Sequence, residues 1–268
     1  MKKTVKYLAA IATAFAVVTL AACGASKEDN SKSATDKIKD KGKIVFGVKQ
    51  DVPNFGYKDP KTNEFTGVEI DIANEIAKDL GVKAEFVPVT AQTRGPLLDN
   101  GQVDAVLATF TITDERKKSY NFTTPYFTDE AGFLVNKASG FTDVKDLDGK
   151  TIGVAQSSST KDGLEALAKQ EGISFKYSEL ADYPTLKTAL TSGRIDAFAV
   201  DKSILSGYVD DKTEILGEGF APQEYGIATK KSNTELADYL DKTVNNLKDD
   251  GGLKKLTDKY NLKDATAK

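Results

Sequence analysis

Arg94 and Arg116 are two of only three arginines in a chain of 268 residues. They flank residues 103–110, an apolar run that reads as a buried strand, and the hydroxyl-rich Thr109-Phe-Thr-Ile-Thr113 that ends it. A guanidinium is a permanently charged planar fork that grips a carboxylate through two parallel N–H bonds. Lysine and arginine together number 37, so a chain needing only surface charge would place lysine at these positions. Two forks and several hydroxyls near one strand end predict a pocket for a small anionic ligand. The alternative is two surface arginines beside a loop.

Composition narrows the chemistry. The chain is 40% hydrophobic and 29% charged, enough for one large or two medium soluble cores. The formal charge of −3 comes from nearly balanced signs and argues against nucleic acid as a partner. There is no histidine, which removes His ligation and His-based acid–base catalysis. One cysteine, Cys23, rules out an internal disulfide and a thiolate cluster. No metal or cofactor is expected.

That cysteine sits at an informative place. Lys2, Lys3 and Lys6 precede an apolar run over residues 7–20, short for a membrane span, which ends in Leu20-Ala-Ala-Cys23. The tetrapeptide resembles the bacterial lipoprotein signal, in which the mature chain starts at a lipid-modified cysteine. Residues 1–22 are thus expected to be a signal peptide, and residues 23–35 a flexible tether from lipidated Cys23. The other reading is an ordinary cleaved signal followed by a free thiol.

The elements that must position the arginines come in two similar sets. Leu98-Asp-Asn-Gly-Gln-Val-Asp-Ala-Val-Leu-Ala-Thr109 matches Leu190-Thr-Ser-Gly-Arg-Ile-Asp-Ala-Phe-Ala-Val-Asp201. Each reads as a helix end, a C-terminal glycine (Gly101, Gly193) and a buried strand. A Gly-Lys pair, Gly42-Lys43 or Gly149-Lys150, leads a strand ahead of each. Helices are predicted over residues 68–80 (Ile72, Ile76 and Leu80 on one face) and 159–170 (with a capping box from Ser159 to Asp162). Others follow from Pro184 to Gly193 and along the stripe Leu236, Leu240, Val244, Leu247. Alternating strands and helices predict two α/β lobes with mainly parallel sheets. Residues 36–130 plus 226–262 are expected as lobe 1, and 131–225 as lobe 2. Crossovers are placed at residues 131–137 and 223–229, with the ligand cleft between the lobes.

Enzyme motifs fail. Gly149-Lys-Thr151 lacks the first glycine of a phosphate loop, no Gly-x-Gly-x-x-Gly follows a strand, and no Gly-x-Ser-x-Gly occurs. The chain does not read as an enzyme.

Other motifs carry a resemblance. Thr66-Gly-Val-Glu-Ile-Asp71, Thr111-Ile-Thr-Asp-Glu-Arg116, Asn121-Phe-Thr-Thr-Pro-Tyr126 and Gly193-Arg-Ile-Asp-Ala197 resemble family 3 bacterial extracellular solute-binding proteins, over about residues 38–262. The runs Thr93-Arg-Gly-Pro-Leu-Leu-Asp-Asn-Gly101 and Asp201-Lys-Ser-Ile-Leu205 are most similar to the family's acidic-amino-acid binders. The resemblance implies a type II periplasmic-binding-protein-like fold: two lobes, joined by two crossovers, that close on a free amino acid. It implies that Arg116 clamps the α-carboxylate, with Thr111 and Thr160 donating hydroxyls, and that Asp201 and Thr109 take the α-ammonium. Plain helix capping is the competing role for Thr160 and for Asp201. Arg94, Lys49 and Tyr183 are implied to face the ligand side chain, favouring glutamate or aspartate; Asp51 could neutralise Lys49 and so weaken the case against glutamine. The implied partners are an ABC permease with its ATPase, and the membrane through the lipid anchor on its outer face. A monomer is expected. Some relatives are named as surface antigens, so an adhesion role stands as a further reading.

Overall fold

The computed structural model describes residues 32–217 and 219–265. The expected signal peptide, Cys23 and most of the expected tether lie outside the described residues. No helix among the described residues is long and apolar enough to cross a membrane.

The chain order is α1 (Ala34–Lys41), β1 (Lys43–Val48), β2 (Asp51–Val52), β3 (Gly56–Lys58), β4 (Phe65–Thr66), α2 (Val68–Leu80), β5 (Lys83–Pro88), α3 (Arg94–Asp99), β6 (Ala105–Leu107), α4 (Asp114–Ser119) and β7 (Tyr120–Phe122). Then come β8 (Phe127–Asn136), β9 (Thr151–Ala155), α5 (Thr160–Glu171), β10 (Lys176–Leu180), α6 (Tyr183–Thr191), β11 (Ala197–Asp201), α7 (Lys202–Ser206) and β12 (Thr213–Ile215). The chain ends with β13 (Phe220–Tyr225), β14 (Ala228–Lys230), α8 (Thr234–Asp249) and α9 (Gly252–Lys259). The first sheet has the order β5-β1-β6-β14-β7, and the second β10-β9-β11-β8-β12 with β13 added against β8. β1 runs parallel to β5 and β6, and β9 parallel to β10 and β11, giving each lobe a parallel centre.

The internal repeat has a structural meaning. Asp104 Oδ2 accepts the Val45 N–H at 2.8 Å, and Asp196 Oδ2 accepts the Thr151 N–H at 2.8 Å. Each Val/Ile-Asp-Ala thus stitches its own strand to the neighbouring Gly-Lys-led strand. Gly101 and Gly193 turn the chain there at φ 70° and 72°, where a side chain is strained.

Several expectations need correction. Residues 131–137 are not a crossover: Ala131 to Val135 pair with β11 inside the second sheet. The ladder that crosses between lobes is residues 127–130 of β8 against residues 222–225 of β13. Ala131, Phe133 and Val135 feed one core cluster and Leu134 another, so this strand is buried on both faces and carries no alternation to mark where the lobe begins. Residues 228–229 likewise belong to β14 of the first sheet. Ser33 already caps α1, so the expected tether cannot run to residue 35. Ser159 has helical φ/ψ and makes no capping bond, so the capping box fails. In α6 the cap is Asp182, which accepts from the Thr185 N–H at 2.8 Å, and Pro184 is the second helical residue.

The lobes are closed on each other. Gly207 packs against Pro53, the Tyr208 hydroxyl donates to the Asp51 carbonyl, and one apolar cluster runs from Ile44 and Phe46 to Phe198 and Tyr208's neighbours.

Candidate functional site

The C-terminal ends of the parallel strands supply the site, as expected for such sheets. Lys49 follows β1 and is 1% exposed; its Nζ lies 3.0 Å from Asp51 Oδ1 and 4.4 Å from the centre of the Tyr183 ring. Burial lowers the Lys49 pKa, and Asp51 opposes that shift. Beyond β6 the backbone bends at Thr109, with φ 45°. Two groups hold this bend. The Thr109 N–H donates to Glu69 Oε1, and Arg94 Nη1 donates to the carbonyls of Ala108 (2.7 Å) and Thr109 (3.0 Å).

Arg94 begins α3 and is 3% exposed, its guanidinium 4.0 Å from the Phe110 ring centre. Arg116, on α4, lies 4.9 Å from the same ring. Phe110 therefore spaces the two cations, a cation–π arrangement in both cases. Arg116 Nη1 donates to the Thr111 carbonyl at 2.8 Å, and Nη2 crosses to the Ser157 carbonyl of the second lobe at 3.2 Å. Burial, then the neighbouring Arg94, pulls Arg116 down to about 9, so it stays charged at neutral pH.

The second lobe closes the other side. Thr160, the first residue of α5, is 2% exposed. Asp201 ends β11, and its Oδ2 accepts the Tyr225 hydroxyl. Burial, and then the charge of Asp129, pushes Asp201 up to about 7. Tyr183 begins α6, fully enclosed, and burial followed by Asp201 raises its pKa.

Of the eight expected residues, the structure brings Arg116, Arg94, Asp201, Lys49 and Tyr183 within electrostatic reach of one another, and Thr109, Thr111 and Thr160 are buried at the ends of neighbouring elements. Sequence reasoning missed others. Gln223 Oε1 gathers the Thr111 hydroxyl (2.9 Å) from lobe 1 and the Ser159 hydroxyl (3.1 Å) from lobe 2. Glu69 is completely buried on α2, bound to Thr109 N–H and the Tyr126 hydroxyl, and desolvation raises it to about 7. Its place in Thr66-Gly-Val-Glu-Ile-Asp71 was a visible sign, because an acidic residue there interrupts an apolar helix face.

Among the described residues, the buried side-chain polar atoms without a hydrogen-bond partner are Glu69 Oε2, Arg94 Nε, Thr109 Oγ1 and Ser158 Oγ, while Asp51 Oδ1 has only its ion pair with Lys49 at 3.0 Å. All five belong to this region. Buried polar groups are ordinarily paired, so these atoms stand out from the rest of the interior.

Comparison with known proteins agrees with the geometry. Residues 44–263 match the bacterial extracellular solute-binding proteins, family 3. The chain is 40% identical over 256 residues to the ABC transporter glutamine-binding protein GlnH of Bacillus subtilis, covering 90% of this chain and 92% of that protein. It is 32% identical to the glutamate-binding protein GluB of Corynebacterium glutamicum, covering 95% and 90%. The crystal structure of the amino acid ABC transporter substrate-binding protein AbpA of Streptococcus pneumoniae, bound to L-arginine, superposes with a TM-score of 0.75 at 30% identity, covering 84% of this chain and 97% of that one. With its two α/β lobes and the match spanning both, the chain belongs to the bacterial extracellular solute-binding proteins, family 3.

Proposed function

We propose that the protein is the amino-acid receptor of an ABC importer and that its ligand is glutamate or aspartate. The observation carrying this is the set of unpartnered buried atoms around Arg94 and Thr109, enclosed between the lobes. An amino acid brings one carboxylate and one ammonium, and leaving either charge buried without a partner costs several kcal/mol. Arg116, Thr111 and the start of α5 with Thr160 take the α-carboxylate; Asp201 and Thr109 take the ammonium. That leaves Lys49, Arg94 and Tyr183 for the side chain. Lys49 is already paired with Asp51, so the open question is the charge around Arg94. Glu69 spends Oε1 on the Thr109 N–H and the Tyr126 hydroxyl, and Arg94 Nε is left for an anion. A side-chain carboxylate supplies it.

Glutamine is the second reading. The 3.0 Å Lys49–Asp51 pair removes one cation from the count, and an ionised Glu69 would balance Arg94, leaving a neutral cleft suited to an amide. The similarity to a glutamine-binding protein supports it. In either case ligand contacts from both lobes favour closure. A lipid anchor at Cys23 would hold the receptor at the outer face of the membrane beside its permease.

The test is calorimetric titration of protein stripped of carried-over ligand by unfolding and refolding. Tight glutamate or aspartate binding with much weaker glutamine binding supports the acidic assignment. Glutamine binding as tightly or more tightly overturns that assignment and leaves the receptor; binding of no amino acid overturns the receptor.

A further inference from the structure

Asp201 occupies the N-cap position of α7 but makes no capping bond. An aspartate there ordinarily accepts a backbone N–H of the helix's first turn. Here its carboxylate turns away and takes the Tyr225 hydroxyl. The cap comes from elsewhere. Asp129, on the crossover strand β8 and 4% exposed, accepts the Ser203 N–H of α7 through Oδ2 at 3.0 Å and the Glu130 N–H through Oδ1 at 2.8 Å. Asp129 is two residues from Ala131, which pairs with Asp201 in the sheet. Both side chains that decide the setting of Asp201, Asp129 on β8 and Tyr225 on β13, therefore come from the two strands that cross between the lobes.

We infer that Asp129 is a positioning residue for the ligand: by capping α7 from the crossover strand, it frees the Asp201 carboxylate from its own helix and leaves it aimed at the ligand's ammonium. This deepens the receptor reading and rests on Asp201 as the ammonium acceptor. The same arrangement sets two carboxylates side by side in a buried place. The groups facing Asp201 are Asp129 from β8, Tyr225 from β13, Arg94 from α3, Arg116 from α4 and Tyr183 from α6. Beside Asp129 stands Glu130, itself paired with Lys202 at 2.6 Å. A bound ammonium relieves the repulsion between Asp129 and Asp201, so one carboxylate fixes the other's direction and also raises the value of its neutralisation by ligand.

The experiment is titration of the protein with glutamate and with glutamine from pH 5 to 8.5, for wild type, Asp129→Ala, Asp129→Asn and Asp201→Asn. Asp129→Ala should weaken both ligands about tenfold or more at pH 8, as Asp201 swings back to cap α7. Asp129→Asn keeps an oxygen for Ser203 and should recover most of that loss. Because it also removes the like charge, its affinity should fall off at a pH lower by about half a unit to one unit than in wild type. A purely structural cap would not move that acid limb. An unchanged acid limb in Asp129→Asn, or wild-type affinity in Asp129→Ala, overturns the inference. If Asp129→Ala fails to fold, the acid limb of Asp129→Asn decides. Should Asp201→Asn bind like wild type, the ammonium assignment itself fails, a result distinct from failure at Asp129.

Discussion

Replacing Arg94 by methionine separates the acidic reading from the amide reading most sharply. Methionine keeps an unbranched apolar stem over Phe110 and removes the charge. In the structure Arg94 spends Nη1 on the carbonyls of Ala108 and Thr109 and leaves Nε unpaired. If a ligand carboxylate completes it, the variant strands one partner of a buried charged hydrogen bond, a loss of about 2–5 kcal/mol. If an amide oxygen completes it, the bond still has a charged donor but a neutral acceptor, and the loss is about 1.5 kcal/mol. At about 1.4 kcal/mol per tenfold, a 3 kcal/mol loss weakens glutamate about 150-fold and a 1.5 kcal/mol loss weakens glutamine about twelvefold. The ratio of the two dissociation constants should therefore move by about tenfold toward glutamine. Calorimetry with both ligands measures that ratio, and thermal unfolding without ligand separates it from damage to the Thr109 bend. Equal losses for glutamate and glutamine, or undiminished glutamate binding, would refute the assignment of Arg94 to a side-chain carboxylate.

Three further outcomes follow from the same geometry. Asp51→Asn removes the partner of a 1% exposed lysine, so the unliganded protein should lose about 3–5 kcal/mol in denaturant unfolding. The freed Lys49 charge should meanwhile raise glutamate affinity relative to glutamine; a shift toward glutamine would contradict the placement of Lys49. The pH dependence of binding has a definite sign. Asp201 is raised to about 7 when no ligand is present, and a neighbouring ammonium lowers it, so affinity is fully developed above pH 7 and is lost as pH falls through that value. Glutamine binding near pH 6.5 should accordingly release protons, seen as a dependence of the calorimetric heat on buffer ionisation enthalpy; proton uptake would reverse the argument. Gly67→Ala should be severely destabilised: at φ 127° its Cβ would stand 2.0 Å from the Phe55 carbonyl oxygen. A fall of more than about 3 kcal/mol in unfolding free energy is expected, with loss of binding of any amino acid, because α2 carries Glu69. A stable, fully binding variant would show that the α2 start moves freely.

The local grammar of the chain determined a good deal. Rarity singled out Arg94 and Arg116, and the twofold Val/Ile-Asp-Ala pattern announced two lobes, because an aspartate stitching neighbouring strands recurs wherever that unit recurs. The apolar stripe of α2, with Ile72, Ile76 and Leu80 buried, was legible because helical periodicity records which face leaves water. What periodicity does not record is which distant group neutralises which. Glu69 meets Thr109, Gln223 draws hydroxyls from both lobes, and Asp129 caps a helix more than seventy positions along the chain, only because the two sheets share the crossing strands. The crossover itself was misplaced for the same reason: a strand buried on both faces looks alike along its whole length. The charge balance that decides between a carboxylate and an amide is set by Lys49 with Asp51 and by Glu69 near Arg94. Side-chain types fixed the charges available, but only their burial and closeness in the closed lobes decided which remain for a ligand.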